Sequence, residues 1–221
     1  MIVPVRNEAE NLREFLPAVR PFADELIVVD GHSTDGSGEL AAGLCDRVIT
    51  DHGLGKGDAL RCGVDAAAHE IVVFIDADWS HDPKDIPKLV EPIRAGRAEH
   101  VQGSRMLGGS DELFGDLPNY VRLFGSVTIT MGINLRFGVR ITDSQNGFRA
   151  LRKSLFLALD SREYSTTIEQ ELIIRTLALG KVLLEVPTHE YARRAGSSKI
   201  QVRRVWPRYV YSWLRGLLLK R

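Results

Sequence analysis

Short apolar runs bounded by polar turns alternate along this chain with longer stretches in which apolar residues recur every three or four positions. The runs at residues 2–5, 25–29, 47–50, 71–75, 100–104 and 182–186 predict buried strands. Between them, Leu12, Phe15, Leu16 and Val19 fall at helical spacing, and a polar turn over residues 30–37 caps a helix reaching Leu44. Gly53-Leu54-Gly55-Lys56-Gly57 opens a helix with Leu60, Val64 and Ala67 along one side. Asp82-Pro83 starts another, with proline suited to the first turn, and residues 117–137 and 168–179 are helical by the same periodicity. The Gly-rich polar stretch 105–116 predicts a mobile loop and residues 142–148 a polar turn. Strand–helix alternation of this kind predicts an α/β fold, a mainly parallel sheet flanked by helices on both faces. The last stretch, residues 200–219, places Trp206, Tyr209, Val210, Trp213, Leu214 and Leu217 on a rough stripe with Arg203, Arg204, Arg208 and Arg215 interleaved. Pro207 is expected to divide it into two helices. The organisation expected is one globular domain over residues 1–199 and an amphipathic basic helical segment over 200–221. The first strand begins almost at Met1, short for a central strand, which reads as a trimmed or late-starting N-terminus.

Against this frame the most informative feature is Asp76-Ala77-Asp78, directly after the apolar run 71–75. A strand aims alternate side chains at one face, so two acids at this spacing can converge on one divalent cation if the chain leaves the sheet there, the alternative being a solvated turn with a helix N-cap. Open α/β sheets bind ligands beyond the carboxyl ends of their strands, where the pair falls. Arg6-Asn7-Glu8, Asp30 and the glycines from Gly53 reach the same edge. Gly53-x-Gly55-x-Gly57 resembles a phosphate-cradling loop but lacks both the dinucleotide fingerprint and the P-loop ending, and a plain helix-start turn explains it equally. His81 reads as part of a helix start, since Mg²⁺ and Mn²⁺ prefer oxygen ligands.

Composition changes the picture in two places. The chain has 221 residues, 44% of them hydrophobic, and a formal charge of zero, which gives no electrostatic case for nucleic acid. Yet residues 191–221 hold nine Lys or Arg and no Asp or Glu, so that end is expected to meet something anionic. The two cysteines, Cys45 and Cys62, read as buried inert thiols within helices, with neither a disulfide framework nor a zinc site implied. No apolar stretch approaches the roughly 18 residues of a spanning helix, and no signal-peptide pattern is present, so a cytoplasmic, soluble or peripheral protein is expected.

Several segments together resemble the inverting glycosyltransferases of family 2, with the Rossmann-like GT-A fold, and especially the dolichyl-phosphate mannose and glucose synthase branch. They are VPVRNEAENL at 3–12, VVDGHSTDGS at 28–37, GLGKGDALRCG at 53–63, DADWSHDPKDIP at 76–87, GSR at 103–105, DSQNGFRALRKS at 143–154 and EVPTHEYARRAGSSKI at 185–200. The resemblance implies transfer of a hexose from a nucleotide sugar, GDP-mannose or UDP-glucose, to a polyprenyl or dolichyl phosphate, with Mg²⁺ or Mn²⁺ as cofactor. It implies donor contacts at Pro4, Arg6, Glu8, Asp30, Lys56, Asp76 and Arg105, and metal ligands at Asp76, Asp78 and Ser80. Acceptor binding is implied at Arg122, Glu169, Arg194 and Lys199, and catalytic roles at Asp78, Asp143 and Arg122. A phosphate acceptor is already anionic near neutral pH, so Asp143 is expected to support by hydrogen bonding rather than abstract a proton. For Arg149 an ordinary surface charge is an equal reading.

The chain departs from the family where Gly31 and His32 replace the acid and glycine common in its VDDGS turn. Ser144-Gln145-Asn146 looks glucose-type and Trp79-Ser80-His81-Asp82-Pro83 mannose-type, which point in opposite directions. Either the C-terminal segment suffices for docking at the cytoplasmic membrane face or a membrane protein supplies it. The competing readings are a family 2 enzyme acting on a saccharide hydroxyl, with Asp143 as its base, and a non-catalytic nucleotide-sugar-binding protein.

Overall fold

The computed structural model describes residues 1–113, 117–193 and 202–218. Seven strands, β1 (Ile2–Val5), β2 (Ile27–Asp30), β3 (Arg47–Thr50), β4 (Ile71–Phe74), β5 (His100–Ser104), β6 (Arg149–Arg152) and β7 (Leu183–Pro187), form one sheet in the order β3-β2-β1-β4-β6-β5-β7. Every pairing is parallel except those of β6, which runs antiparallel between β4 and β5. The helices are α1 (Ala9–Val19), α2 (Ser37–Ala42), α3 (Lys56–Ala66), α4 (Ile86–Arg94), α5 (Arg105–Gly108), α6 (Leu117–Phe137), α7 (Lys153–Ala158), α8 (Ile168–Ala178) and α9 (Val202–Leu217).

Alternation along the strands sends apolar side chains to both faces, which is why the parallel strands read as unbroken apolar runs. In β1, Val3 and Val5 join Leu12, Phe15 and Leu16 of α1 and Leu89 of α4 on one face. Ile2 points the other way, with Leu60 and Val64 of α3, Phe156 of α7 and Leu172 of α8. A third cluster lies beside the sheet, where Ile129, Ile133 and Phe137 of α6 meet Ile173 and Ile174 of α8 and Tyr209, Trp213 and Leu217 of α9.

Several sequence expectations are corrected. Residues 202–217 form one helix with Pro207 inside it, not two. The hydrogen bond that proline removes is offset by packing against α6 and α8, close enough that a Cβ on Gly132 would lie 2.1 Å from the Trp213 ring. The apolar stripe also splits: Tyr209, Trp213 and Leu217 pack inward while Trp206 and Leu214 stay exposed. Residues 105–108 are a helical turn rather than loop, and Arg105 is buried. β6 and α7 were not expected, because Arg149-Ala-Leu-Arg152 offers only two apolar residues between arginines. Arg149 is no surface charge: it is 1% exposed and donates to the backbone carbonyls of Glu169 and Asn146. Cys45 lies beyond α2 rather than within a helix, and both thiols are half-buried.

Gly55 and Gly57, at the start of α3, allow close backbone approach to residues 163–165. The Gly57 N–H donates to Tyr164 O at 2.8 Å, and a Cβ there would lie 2.1 Å from Glu163 O. Alanine is intrinsically the better helix residue by about 1 kcal/mol. The clash with a fixed carbonyl outweighs that, so Gly57→Ala is expected to destabilise by about 2–3 kcal/mol in urea denaturation. A stabilised variant would remove this account of the segment.

Candidate active site

The carboxyl ends of the central strands open onto one cleft. Asp76 and Asp78 enter it just past β4, and Trp79 then takes a left-handed conformation (φ 65°), unusual for an aromatic residue. That bend brings the Ser80 N–H back onto the Asp78 carboxylate at 3.1 Å, while the Trp79 ring packs edge-on against Phe15 at 5.3 Å. Asp76, Asp78 and Ser80 thus line the cleft together, a set of hard oxygen donors.

Each acid already faces a cation. Lys56, at the start of α3, donates to Asp76 at 2.8 Å and to Glu169 of α8 at 2.7 Å. Burial works against the lysine charge, but the two carboxylates outweigh it and hold the ammonium well above its ordinary range. Burial likewise opposes ionisation of Asp76, and Lys56 overrides it, so that carboxyl stays below its usual value. Asp78 meets the Arg193 guanidinium at 2.9 Å, and Arg193 also approaches Glu112 at 3.7 Å. A guanidinium against Asp78 marks a position where the fold favours positive charge.

A second ionic cluster forms part of the cleft wall, where Arg105 and Glu190 line the cleft and Asp143 is buried beneath them. Arg105 donates from Nε to Asp143 at 2.6 Å, from Nη2 to its other oxygen at 3.0 Å, and from Nη1 to Glu190 at 3.1 Å. Burial disfavours both charges, yet their pairing wins, raising the Arg105 value and lowering that of Asp143. Asp143 is 0% exposed and also accepts from the Gln145 N–H. It therefore holds Arg105 and the 143–146 turn in place, in keeping with the supporting hydrogen-bond role expected of it rather than with the competing reading as a base.

The remaining expected residues divide by position. Pro4, Arg6, Glu8 and Asp30 stand at the carboxyl ends of β1 and β2, the strands next to β4. Asp30 accepts from the Ser33 N–H at 3.1 Å and Glu8 from Asn11 at 2.8 Å. Arg122 of α6 and Glu169 line the cleft itself, and among the described residues Arg122 has no ion-pair partner. Arg194 and Lys199 lie outside the described residues.

Sequence reasoning missed Arg193, Glu190, His81 and Tyr209 as cleft residues. Arg193 and Glu190 stand inside the quoted segment 185–200, but its neighbour Arg194 drew the assignment. His81 stacks on Phe148 at 4.9 Å with Nδ1 buried and unpartnered, and burial keeps the ring neutral by lowering its value. The Tyr209 hydroxyl, pushed up to about 12 by burial and then by Glu169, donates to Thr166 at 2.6 Å. On the outward side of α6, Tyr120, Phe124, Val127, Met131 and Leu135 form an exposed apolar stripe, opposite Ile129 and Ile133. No helix among the described residues is long and apolar enough to cross a membrane.

The fold recurs in known proteins. The fold superposes on glucosyl-3-phosphoglycerate synthase of Mycobacterium tuberculosis, solved with Mn²⁺, uridine diphosphate and glucosyl-3-phosphoglycerate, with a TM-score of 0.77 over 100% of this chain and 80% of that one. At 22% identity that likeness concerns the fold. Glycosyltransferase AglJ of Haloferax volcanii is 30% identical over 200 residues, covering 89% of this chain and 64% of AglJ, so the chain spans less than two thirds of that relative. The undecaprenyl-phosphate mannosyltransferase of Micrococcus luteus is 31% identical over 218 residues, covering 90% of this chain and 86% of that one. Residues 1–159 match the description "Glycosyl transferase family 2", a span that takes in β1 to β6 and the acid pair, and the chain belongs to that family of glycosyltransferases.

Proposed function

We propose that this protein transfers a hexose from a nucleoside diphosphate sugar to a polyprenyl phosphate, inverting the anomeric carbon, with a divalent cation held by Asp76, Asp78 and Ser80. The observation that carries the acceptor class is the position of α6. Its inner side offers Arg122 to the cleft, and its outer side is an exposed apolar stripe suited to a membrane surface. An anionic head and an apolar tail are the two parts of a lipid phosphate. The name of the Micrococcus luteus relative supports the same class.

In this reading the acceptor phosphate oxygen attacks C1 of the sugar, the C1–oxygen bond to the diphosphate breaks, and the nucleoside diphosphate leaves. The attacking oxygen already carries charge, so no base is required, which accords with Asp143 being committed to Arg105. A cation on the acid pair would supply Lewis-acid stabilisation of the departing diphosphate. Lys56 holds Asp76 in place. Arg193, beside Asp78, would offer the diphosphate a cationic contact. The Pro4, Arg6, Glu8 and Asp30 edge would receive the nucleoside, and Arg122, with Arg194 and Lys199, the acceptor phosphate.

Purified protein with Mn²⁺, labelled GDP-mannose or UDP-glucose, and polyprenyl phosphate in vesicles tests this directly. Labelled lipid is the expected product. Transfer only to a water-soluble phosphate such as 3-phosphoglycerate, or only to a saccharide hydroxyl, would replace the lipid reading with the corresponding alternative. Arg122→Ala is expected to lower kcat/KM for the lipid about ten- to a hundredfold, the worth of a charge-assisted phosphate contact. The donor KM should stay as in the parent, and an effect on the donor alone would remove Arg122 from the acceptor side.

A further inference from the structure

On the flank of α3, outside the cleft, three side chains of different chemical kinds meet. Asp58 and Cys62 stand one turn apart on the same helix face, and His52 comes down from the segment between β3 and α3. His52 Nδ1 lies 3.0 Å from Asp58 Oδ1 and 3.6 Å from Cys62 Sγ, and the three donor atoms all fall within 4.8 Å of one another. Zinc binds nitrogen and oxygen at about 2.0–2.1 Å and sulfur at about 2.3 Å, which sets donor-to-donor edges of roughly 3.3–3.6 Å in a tetrahedron. The observed separations bracket those edges.

The cluster is also held in place. The second Asp58 oxygen accepts the backbone N–H of His52 at 2.9 Å, tying the segment to the helix and presenting both side chains on one side. Asp58 is 4% exposed, whereas the His52 side chain is 73% exposed, so one flank stays open to water or another fourth ligand. Asp51 and Asp65 add negative charge around Cys62.

We propose that His52, Asp58 and Cys62 form a binding site for a thiophilic divalent cation of the zinc class, separate from the acid pair. A thiolate and an imidazole select zinc, cobalt or cadmium, whereas Mg²⁺ and Mn²⁺ favour the all-oxygen set in the cleft. The cation replaces the proton shared by His52 and Asp58 and the proton of the Cys62 thiol, and no electron transfer is involved. Burial, followed by the nearby carboxylates, keeps that thiol protonated and unreactive without a cation. Because α3 begins at Lys56, occupancy fastens the segment that delivers the lysine to the cleft.

Co²⁺ is the probe, added to the Asp78→Asn protein so that the cleft does not compete. One equivalent is expected to give the near-ultraviolet thiolate-to-cobalt charge-transfer absorption. Cys62→Ser is expected to abolish it and to weaken Zn²⁺ at least tenfold in competition with a chromophoric chelator. His52→Ala, a change at an exposed side chain that leaves the core untouched, should weaken Zn²⁺ by a similar factor, and Cys45→Ser should change neither readout. Absence of the charge-transfer band, its survival in Cys62→Ser, or unchanged Zn²⁺ affinity in His52→Ala would each overturn the assignment.

Discussion

Asp78→Asn is expected to lower glycosyl transfer by about a thousandfold, roughly 4 kcal/mol of transition-state stabilisation. The amide keeps the shape of the carboxylate and deletes its charge, so packing around Phe15 and Trp79 persists and the loss is confined to the cleft. Two consequences separate this from unfolding. The melting temperature should stay within a few degrees of the parent, because Asp78 is a cleft-lining group whose Arg193 partner also reaches Glu112. Mn²⁺ binding followed by electron paramagnetic resonance should weaken in parallel with turnover. An Asp78→Asn enzyme within tenfold of the parent, with normal Mn²⁺ binding, would move the cation away from the acid pair.

The largest stability loss is expected at Arg105→Met. This change leaves Asp143, fully buried, without its bidentate partner and removes one partner of Glu190. Breaking a buried pair from one side costs about 3–5 kcal/mol, far more than its net worth, because the remaining charge is stranded. At this chain length that is a fall of about 10 °C in melting temperature. The pH dependence carries the signature. In the parent, the Asp143 carboxyl lies below its ordinary 3.8, so its contribution is fully present above that value and is lost as pH falls through the lower folded one. In Arg105→Met the stranded carboxyl rises instead, so its penalty is full at neutral pH and shrinks on acidification. Adding Asp143→Asn to Arg105→Met should recover part of the loss at pH 7. Equal deficits at pH 5 and pH 8, with no rescue by the second substitution, would deny the pair its role. Chemical denaturation across that range measures both.

The parts of this molecule legible in its sequence are those whose cause is local. A parallel strand covered on both faces must be apolar at every position, so Ile71-Val72-Val73-Phe74 announces itself. Asp76 and Asp78 are two residues apart and follow such a run, so their place at the cleft needed no knowledge of the fold. Arg149-Ala-Leu-Arg152 hid as a strand because a buried arginine mimics a solvated one until its carbonyl partners are known. That Asp143 supports Arg105 in particular was not legible, because the arginine is 38 residues away, and Glu190 lies a further 85 residues from that arginine. Pro207 read as a break because the packing that carries a helix past a proline belongs to α6 and α8. The apolar stripe of α6 was visible as periodicity, but which side faces outward depends on where α8 and α9 settle.

The antiparallel strand has a bearing on how the chain is assembled. β4 is joined to β5 only through β6, and β5 pairs otherwise with β7. During synthesis, then, the first four strands can close on themselves while the side of β4 away from β1 keeps a row of unpaired amides and carbonyls, an edge open to adventitious pairing. That edge stays bare until residue 152 has emerged, and β5 waits equally long for its place. Asp76 and Asp78 follow directly on β4, so the acid pair reaches its final setting only when β6 seals the seam and carries the buried Asp143 turn in beside it.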